Sequence, residues 1–205
     1  IDMAFHLPVD ELDDLRSQSG LTIKSFEVGY QYMMFHNAAK SPLSDVKVRK
    51  AVDLALDRSA LSQELRGGEG TRSFFPSGTP YALEDTPHAD ASGAESLLQE
   101  AGYTKNGIGM FEKEGVPLSL NLVAYSQRPG LVIMQPVIAQ TLTNLGIAVE
   151  SITTPGDSWD QFDGILANKS YDLLMWAQHT MPAGDPSWFL NAFFHSSGGN
   201  NFAGA

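Results

Sequence analysis

The stretch from residue 118 to residue 176 alternates between strand and helix patterns, and this order restricts the fold more than any other feature of the chain. Apolar residues at period two predict strands, and apolar residues at helical spacing predict helices. The predicted elements are, in order, a strand from Leu118, a helix Leu131–Leu145, a strand Ile147–Ile152, a helix Asp157–Lys169 with Trp159 and Phe162 facing inwards, and a nearly all-apolar strand Tyr171–Trp176. This order predicts an α/β fold with a mostly parallel sheet flanked by helices.

The residues before this stretch have weaker patterns. Their predicted elements are a strand Ile1–Phe5, a short helix within Val9–Ser17, strands Leu21–Glu27 and Tyr30–His36, a helix from an Asp45 N-cap through Leu65, a loop Gly70–Pro87, a helix behind a Ser92-x-x-Glu95 capping box and before Gly102, and a hairpin region Gly107–Val116. The whole chain of 205 residues is long enough for one sizeable core or for two small ones.

Composition and motifs exclude several classes of function. A formal net charge of −11 gives no general attraction to nucleic acid or to anionic membranes. The chain has no cysteine, so disulfides, thiolate catalysis and cysteine zinc sites are excluded. No Gly-x-Ser-x-Gly or His-Glu-x-x-His sequence is present, and Ser196-Ser197-Gly198-Gly199 lacks the lysine of a phosphate loop. We therefore predict that the protein is not an enzyme.

Short motifs follow one another along the chain in a definite order. They are Asp45, Val48-Arg49, Ala51, Ala55 and Asp57-Arg58, then Ala94-x2-Leu97-Leu98-x-Glu100-Ala101-Gly102-Tyr103, Ile138-x-Gln140-x-Leu142-x2-Leu145-Gly146-Ile147-x-Val149, Tyr171-Asp172-Leu173, Gly184-Asp185-Pro186-x2-Phe189-Leu190 and Asn201-Phe202. In this order and spacing the chain resembles the extracytoplasmic solute-binding proteins of family 5, which supply peptides, nickel and metal chelates to ABC importers. The resemblance runs through nearly the whole chain.

The resemblance implies a two-lobed protein that closes around its ligand. Residues 1–205 resemble the C-terminal lobe of a type II periplasmic-binding-protein-like fold, with Ile1–Phe5 and Tyr171–Trp176 near the hinge. We expect the N-terminal lobe and the final segment to lie outside this sequence. The resemblance also implies that the protein binds and delivers its ligand without changing it chemically. It implies a monomer that lies in the periplasm or is itself a cell-surface lipoprotein. The implied partners are ABC permease subunits and the N-terminal lobe.

The loop after Tyr171–Trp176 is the predicted ligand site, because ligands of open α/β sheets bind at the carboxyl ends of strands. Its candidate ligand-binding residues are Trp176, Gln178, His179, Thr180 and Met181. In dipeptide-binding members of the family, an acidic residue early in this loop meets the ammonium group of the ligand. Here Gln178 through Gly184 contain no acid, and Asp185 is expected to cap a helix Ser187–Phe194.

Two histidines are candidate metal ligands. In nickel-binding members of the family an aromatic residue stands about where His179 is, and a histidine further along reaches the metal, with His195 as its counterpart here. A histidine that only makes local contacts is the competing interpretation for both residues. Two histidines do not fill an octahedral nickel shell, so a chelator would have to supply most of the ligands.

A second group of candidates lies at Tyr125-Ser126-Gln127-Arg128-Pro129, after the strand that begins at Leu118. Arg128 can bind a carboxylate of a peptide or of a chelator through two parallel hydrogen bonds, and Tyr125 is its neighbour in this segment. An exposed arginine without a ligand is equally compatible with the sequence. The ion pairs predicted elsewhere are those of Arg49 and Arg58 with Asp45, Asp53 or Asp57.

These observations predict the substrate-binding component of an ABC import system, with nickel or a metal chelate as the ligand. No resident cofactor is expected, because nickel or another transition metal would be part of the transported ligand. A di- or oligopeptide-binding protein is the alternative within the same class. A hydrolase that uses His179 and Asp185 with Ser126 or Ser158 is the alternative from another class, for which the sequence offers no catalytic motif.

Overall fold

A computed structural model describes residues 3–4, 7, 11–24, 29–84, 88–157 and 159–204 of the protein. Within these residues the helices are α1 (Leu12–Ser17), α2 (Val46–Ala55), α3 (Arg58–Glu64), α4 (Ala91–Glu100), α5 (Pro129–Leu145), α6 (Asp160–Asn168) and α7 (Ser187–Phe194). The strands are β1 (Tyr30–His36), β2 (Thr104–Lys105), β3 (Phe111–Lys113), β4 (Val116–Pro117), β5 (Ser119–Tyr125), β6 (Ala148–Thr154) and β7 (Leu173–His179). No helix in this part of the chain is long and apolar enough to cross a membrane.

The main sheet has four strands in the order β1-β7-β5-β6. β5 pairs in parallel with both β6 and β7, whereas β1 is antiparallel to β7. The predicted α/β fold with a mostly parallel sheet is confirmed, and the sheet is mixed because one edge strand is antiparallel. These directions place the carboxyl ends of β5, β6 and β7 at the same edge of the sheet as the amino end of β1. We call this the carboxyl edge.

Helices cover both faces of the main sheet. Phe35 in β1 stacks on Phe193 of α7 with ring centroids 5.7 Å apart, and Trp176 in β7 stacks on Phe162 of α6 at 5.9 Å. His36, the next residue of β1, points to the other face because side chains alternate along a strand. α5 packs on β5 and β6. Burial on both faces explains why the first five residues of β7 are apolar.

A second sheet of three short strands, in the order β2-β3-β4, stands where the sequence predicted a hairpin region. Phe111 of this sheet is fully buried, and its N–H donates to the carbonyl of Gly146 at 2.7 Å. Gly146 ends α5 with φ of 110°, and a Cβ there would lie 2.6 Å from the carbonyl oxygen of Gly109. The turn therefore requires glycine. The small sheet packs at this turn, which is the edge of the main sheet opposite to the carboxyl edge.

The sequence predicted one helix from Asp45 through Leu65, and this prediction is wrong in one respect, because the structure has two helices there. Asp45 caps α2 as predicted. Leu56 is then extended, with ψ of 122°, and Asp57 caps α3 by accepting two backbone N–H groups. An aspartate offers its carboxylate to nearby backbone N–H groups in competition with the helix, and this explains the break.

Two predictions about local contacts are also corrected. The side-chain cap of α4 is Asp90, which accepts the N–H of Gly93 at 2.8 Å, and the predicted capping residue Ser92 lies inside the helix. Trp159 precedes α6 and is 45% exposed, so it does not face inwards as predicted. Asp90 is the capping residue because it comes immediately before the first helical residue, where a side-chain oxygen can accept from the unsatisfied N–H groups.

The predicted ion pairs are found for one arginine and not for the other. Arg58 pairs with Asp53, whereas Arg49 donates to the carbonyl groups of Leu43 and Ser44. At the start of the chain, residues 21–24 are outside any strand, which contradicts the described part of the predicted strand Leu21–Glu27. The remainder of that prediction, most of the predicted strand at residues 1–5 and the first residues of the predicted helix at 9–17 lie outside the described residues.

Candidate functional site

An aromatic cluster joins the ends of β5 and β7 at the carboxyl edge. Tyr125 is 3% exposed, and its ring centroid lies 5.4 Å from those of Trp159 and Trp176. The Tyr125 hydroxyl accepts the N–H of Ala177 at 3.2 Å, and burial raises the pKa of Tyr125 to about 12. Tyr125 is therefore a neutral, fixed support, whereas the half-buried Trp176 and the exposed Trp159 are the members that a ligand can contact.

Arg128 immediately precedes α5 and is hydrogen-bonded to the sheet through Tyr30. Its Nε donates to the Tyr30 hydroxyl at 2.8 Å, and that hydroxyl donates to the carbonyl of Ala177 at 3.2 Å. Its Nη1 donates to the carbonyl of Gln127 at 3.2 Å. The hydrogen bond to Tyr30 raises the pKa of Arg128, which is charged in any case. The guanidinium is exposed, so its remaining N–H groups can donate to a carboxylate.

Tyr32 stands beside Tyr30 on the same face of β1, with ring centroids 6.2 Å apart. A Cβ on Gly130 would lie 2.7 Å from the Tyr32 hydroxyl, so the close approach of Tyr32 to α5 requires glycine there. Burial, followed by the neighbouring Tyr30, raises the pKa of Tyr32. Tyr30, Tyr32 and Arg128 line an open groove of about 2350 Å³, and residues of the loop 69–84 line it as well.

The predicted ligand loop begins inside β7 rather than after it. Trp176, Gln178 and His179 are strand residues, and Thr180 and Met181 follow. Nε1 of Trp176 donates to Oε1 of Gln178 at 3.4 Å, and Nε2 of Gln178 donates to the carbonyl of His179 at 3.3 Å. Met181 is half-buried. Since both ends of the Gln178 amide are engaged, His179 and Thr180 are the polar groups with unused hydrogen-bonding capacity.

Nδ1 of His179 and Oγ1 of Thr180 are buried and make no hydrogen bond within the described residues. Thr180 has no exposed surface at all. A buried polar group without a partner costs about 1–3 kcal/mol. Two such groups in adjacent residues therefore indicate that partners come from water, from a ligand or from parts of the protein outside the described residues.

The His195 side chain forms hydrogen bonds with the turn that follows it in the chain. The N–H of Ser197 donates to Nδ1 of His195 at 3.2 Å, and the Ser197 hydroxyl lies 2.9 Å from the same nitrogen. A neutral histidine that accepts at Nδ1 carries its proton on Nε2, so metal binding through Nε2 requires the other tautomer. No hydrogen bond among the described residues joins His195 to His179. No group of three or more His, Cys, Asp or Glu side chains in that part of the chain could hold a metal ion.

Asp185, the acid nearest to the predicted ligand loop, binds the start of α7. Its Oδ1 accepts the N–H of Ser187 at 2.8 Å. The hydrogen bonds to Ser187 lower the pKa of Asp185. The carboxylate therefore serves the helix, as the sequence predicted, and the stretch from Gln178 to Gly184 presents no acid to a ligand.

Sequence reasoning missed Tyr30 and Trp159 as members of the site. In the sequence Tyr30 is only a strand residue, because its position beside Arg128 depends on the pairing of β1 with β7, which places Tyr30 opposite His179. Trp159 did carry a signal. It comes directly before the acidic start of a helix, where a residue lies outside the inward-facing apolar stripe.

Comparison with known proteins decides the family. The profile of the bacterial extracellular solute-binding proteins, family 5, middle part, matches residues 1–201. The chain belongs to this family. Family 5 consists of the substrate-binding proteins of ABC importers, which are transport proteins rather than enzymes. The resemblance seen in the sequence is thereby confirmed.

Relatives of the family 5 chain include both peptide binders and a nickel transporter. Di/tripeptide-binding protein 1 of Pseudomonas aeruginosa is 23% identical over 207 residues, which cover 94% of this chain and 35% of that protein. The nickel ABC transporter structure from Bacillus halodurans is 27% identical, with a TM-score of 0.81 over 97% of this chain and 41% of the other. The structure of the oligopeptide-binding protein AppA of Bacillus subtilis, in complex with a nonapeptide, is 21% identical. Its TM-score is 0.80 over 97% of this chain and 40% of the other.

The family 5 chain thus spans between about a third and about two fifths of the length of these relatives. Its fold is periplasmic-binding-protein-like and of type II, as the sequence predicted.

Proposed function

We propose that the family 5 chain is the C-terminal lobe of a two-lobed solute-binding protein that closes around nickel or a metal chelate and delivers it to an ABC permease. The observation that carries this proposal is the chemistry of the strand end. Residues Trp176 to Gly184 offer an imidazole, an amide, a hydroxyl and a thioether, but no carboxylate. An ammonium group of a peptide would therefore have no charged partner there. The likeness to the Bacillus halodurans nickel transporter supports the same choice.

Each group at the carboxyl edge has a role in this proposal. Arg128 binds a carboxylate of the chelator, and Tyr30 fixes the guanidinium by accepting from Nε. Trp176 and Trp159 cover the apolar parts of the ligand. His179 supplies one ligand to the metal through Nε2, because Nδ1 is the buried nitrogen. The chelator supplies the rest of the coordination shell.

His195 is the weaker of the two proposed metal ligands. It can coordinate through Nε2 only after its proton moves to Nδ1, and this breaks the hydrogen bond from the N–H of Ser197. A lost hydrogen bond of this kind costs about 1 kcal/mol. We therefore assign the main protein contact with the metal to His179.

A di- or oligopeptide-binding protein is the second candidate. A guanidinium fixed at Nε binds the C-terminal carboxylate of a peptide as well as it binds the carboxylate of a chelator, so the pair of Arg128 and Tyr30 favours both ligands equally. The names of the Pseudomonas aeruginosa and Bacillus subtilis relatives support this candidate. In a peptide complex, His179 and Thr180 would form hydrogen bonds with the peptide backbone.

The proposal includes a location and partners. The protein works outside the cytoplasm, in the periplasm or as a lipoprotein on the cell surface, as expected for a member of a family of extracellular solute-binding proteins. Its partners are its own N-terminal lobe and the permease subunits of the importer. It acts as a monomer and does not change its ligand chemically.

Native mass spectrometry of the complete protein, taken from its own cell envelope, separates the two ligands when metal analysis is made on the same sample. A bound mass that contains nickel, cobalt or zinc supports the chelate and identifies the chelator. A series of peptide masses without metal overturns the chelate in favour of the peptide. Tryptophan fluorescence then measures the binding of nickel–histidine and of dialanine. If the protein binds neither probe, both candidate functions are contradicted.

His179→Ala tests the central residue of the proposal. We expect the variant to bind the ligand more weakly by at least about 1 kcal/mol, which is the scale of one lost buried hydrogen bond. Isothermal titration calorimetry measures this directly. His88→Ala, at an exposed histidine, is the matched control and should bind like the wild type. An affinity that is unchanged in His179→Ala removes His179 from the site.

A further inference from the structure

The His179 imidazole and the Pro76 ring both approach the backbone of Gly29, a residue that is distant from each of them in the sequence. A Cβ on Gly29 would lie 3.2 Å from Cε1 of His179 and 3.2 Å from Cγ of Pro76, with Nε2 of His179 at 3.6 Å. Gly29 is also tied to the same strand end, because its carbonyl accepts the N–H of Thr180 at 3.3 Å. A side chain at Gly29 would therefore force the imidazole or the proline ring to shift by a few tenths of an ångström.

Pro76 is held in place by the anchors of the 69–84 loop. The Ser73 hydroxyl donates to the carbonyl of Phe75 at 2.9 Å and accepts two backbone N–H groups of the same loop. At the start of the loop, a Cβ on Gly70 would lie 2.7 Å from the backbone of Arg58, so the loop rests directly on α3. The Phe75 ring packs against α7. With these anchors on both sides of it, Pro76 cannot move away from Gly29 without disturbing the loop.

We infer that Gly29 and Pro76 are positioning residues, which hold the His179 imidazole in one orientation and thereby keep Nε2 in one place for the ligand. This inference rests on the proposed function, in which His179 contacts the ligand. Nδ1 is enclosed and the Cε1 edge faces Gly29, so the ring has little room to rotate. A ring that is already fixed loses little conformational entropy on binding, and this favours ligands that need an imidazole at that point.

A double-mutant cycle tests the inference in the complete protein. Gly29→Ala places a methyl group against the imidazole and should weaken binding of nickel–histidine about fivefold or more. In a His179→Ala background the same substitution should have no further effect, because the ring through which Gly29 acts is absent. Gly67→Ala is the control, since a Cβ there meets nothing within 4 Å. An equal loss in both backgrounds, or no loss in either, overturns the inference.

A second measurement does not depend on the ligand. The ¹H–¹³C resonance of His179 at Cε1 should shift in Gly29→Ala and should broaden in Pro76→Ala, which removes the ring on the other side of Gly29. Both variants should leave the resonance of His88 unchanged. Should the wild type bind neither nickel–histidine nor dialanine, the proposed function fails, while this measurement still decides whether Gly29 and Pro76 fix the ring. Identical His179 resonances in all three proteins contradict the inference.

Discussion

The polar side chains at the amino end of β7 mostly have partners within the chain, whereas two adjacent ones at its carboxyl end, His179 and Thr180, have buried atoms without a hydrogen bond from the described residues. At the amino end, Asp172 accepts the N–H of Asn121 at 2.8 Å and pairs with Lys40 at 3.0 Å. The hydroxyl of Tyr171 donates to the carbonyl of Phe202 at 2.8 Å. These bonds tie the start of the strand to β5, to the loop after β1 and to the last described residues of the chain.

At the carboxyl end, Nδ1 of His179 and Oγ1 of Thr180 are buried without a hydrogen bond from the described residues. Oδ1 of Asn37 is a similar atom at the amino end, but Nδ2 of Asn37 donates to the backbone there at 3.1 Å. The two ends of β7 therefore serve different purposes. We expect substitutions at the amino end to change stability, and substitutions at the carboxyl end to change binding.

The largest expected effect is the pH dependence caused by His36, which pairs with Leu173 at the amino end. Burial lowers the pKa of His36 from 6.5 to about 4; Asp53 opposes this shift, and Arg49 and Arg58 add to it. Between these pH values the unfolded chain binds a proton that the folded chain does not. The free energy of unfolding therefore falls by about 3 kcal/mol as the pH falls from above 6.5 to 4.

Urea unfolding at pH 7 and pH 4 measures this effect. His36→Met removes the titrating group, so the variant should lose less stability than the wild type between the two pH values. His88→Met, at an exposed histidine, should keep the pH dependence of the wild type. If His36→Met and the wild type respond alike, His36 is already charged in the folded protein at pH 4, and burial does not lower its pKa as we expect.

The order of the elements could be predicted from the sequence because it depends on local periodicity. The alternation from Leu118 to Trp176 gave β5, α5, β6, α6 and β7, although β7 begins and ends later than predicted. The break at Leu56 was missed because the apolar stripe continues past it, while the competition comes from the carboxylate of Asp57. The antiparallel direction of β1 has no local signature either, since it depends on which strand becomes its neighbour.

The candidate site was predictable only in part, because the sequence indicates local periodicity but not contacts between distant segments. His179 ends β7 and Arg128 comes shortly after β5, and these positions in the sequence alone place them near the carboxyl edge. The contacts of Tyr30 with Arg128, and of Pro76 with Gly29, join segments far apart in the chain, so no spacing in the sequence indicates them.

Asp172→Ala should have the next largest effect. The N–H of Asn121 loses its acceptor and remains part-buried, so we expect a loss of about 2 kcal/mol in the free energy of unfolding. Asp172→Asn keeps a side-chain oxygen for that N–H and gives up only the pair with Lys40, so it should lose less. Chemical denaturation of the two variants measures the difference. Equal losses would mean that the ion pair, rather than the hydrogen bond, holds this end of the strand.

Tyr171→Phe should cost less, about 1 kcal/mol, because a single neutral hydrogen bond to the carbonyl of Phe202 is lost. The ring stays in place, and burial already raises the pKa of the hydroxyl to about 12, so no charge is involved. Thermal unfolding of the variant is compared with that of Tyr81→Phe, at a residue that is 44% exposed and should tolerate the change. A Tyr171→Phe protein as stable as the wild type would weaken the claim that the amino end is built for stability.

Thr180→Val should have the smallest effect on stability, because the hydroxyl that it removes makes no hydrogen bond within the described residues. Valine has nearly the same shape, and removing a buried polar group that lacks a partner is neutral or slightly stabilising, so we expect a change within about 0.5 kcal/mol. Ligand affinity should fall in the same variant if the ligand forms a hydrogen bond with the Thr180 hydroxyl. A loss of stability above about 1 kcal/mol without ligand would instead mean that Oγ1 has a partner in the unliganded protein. The two ends of β7 would then be alike, because the buried hydroxyl at its carboxyl end would have a partner as well.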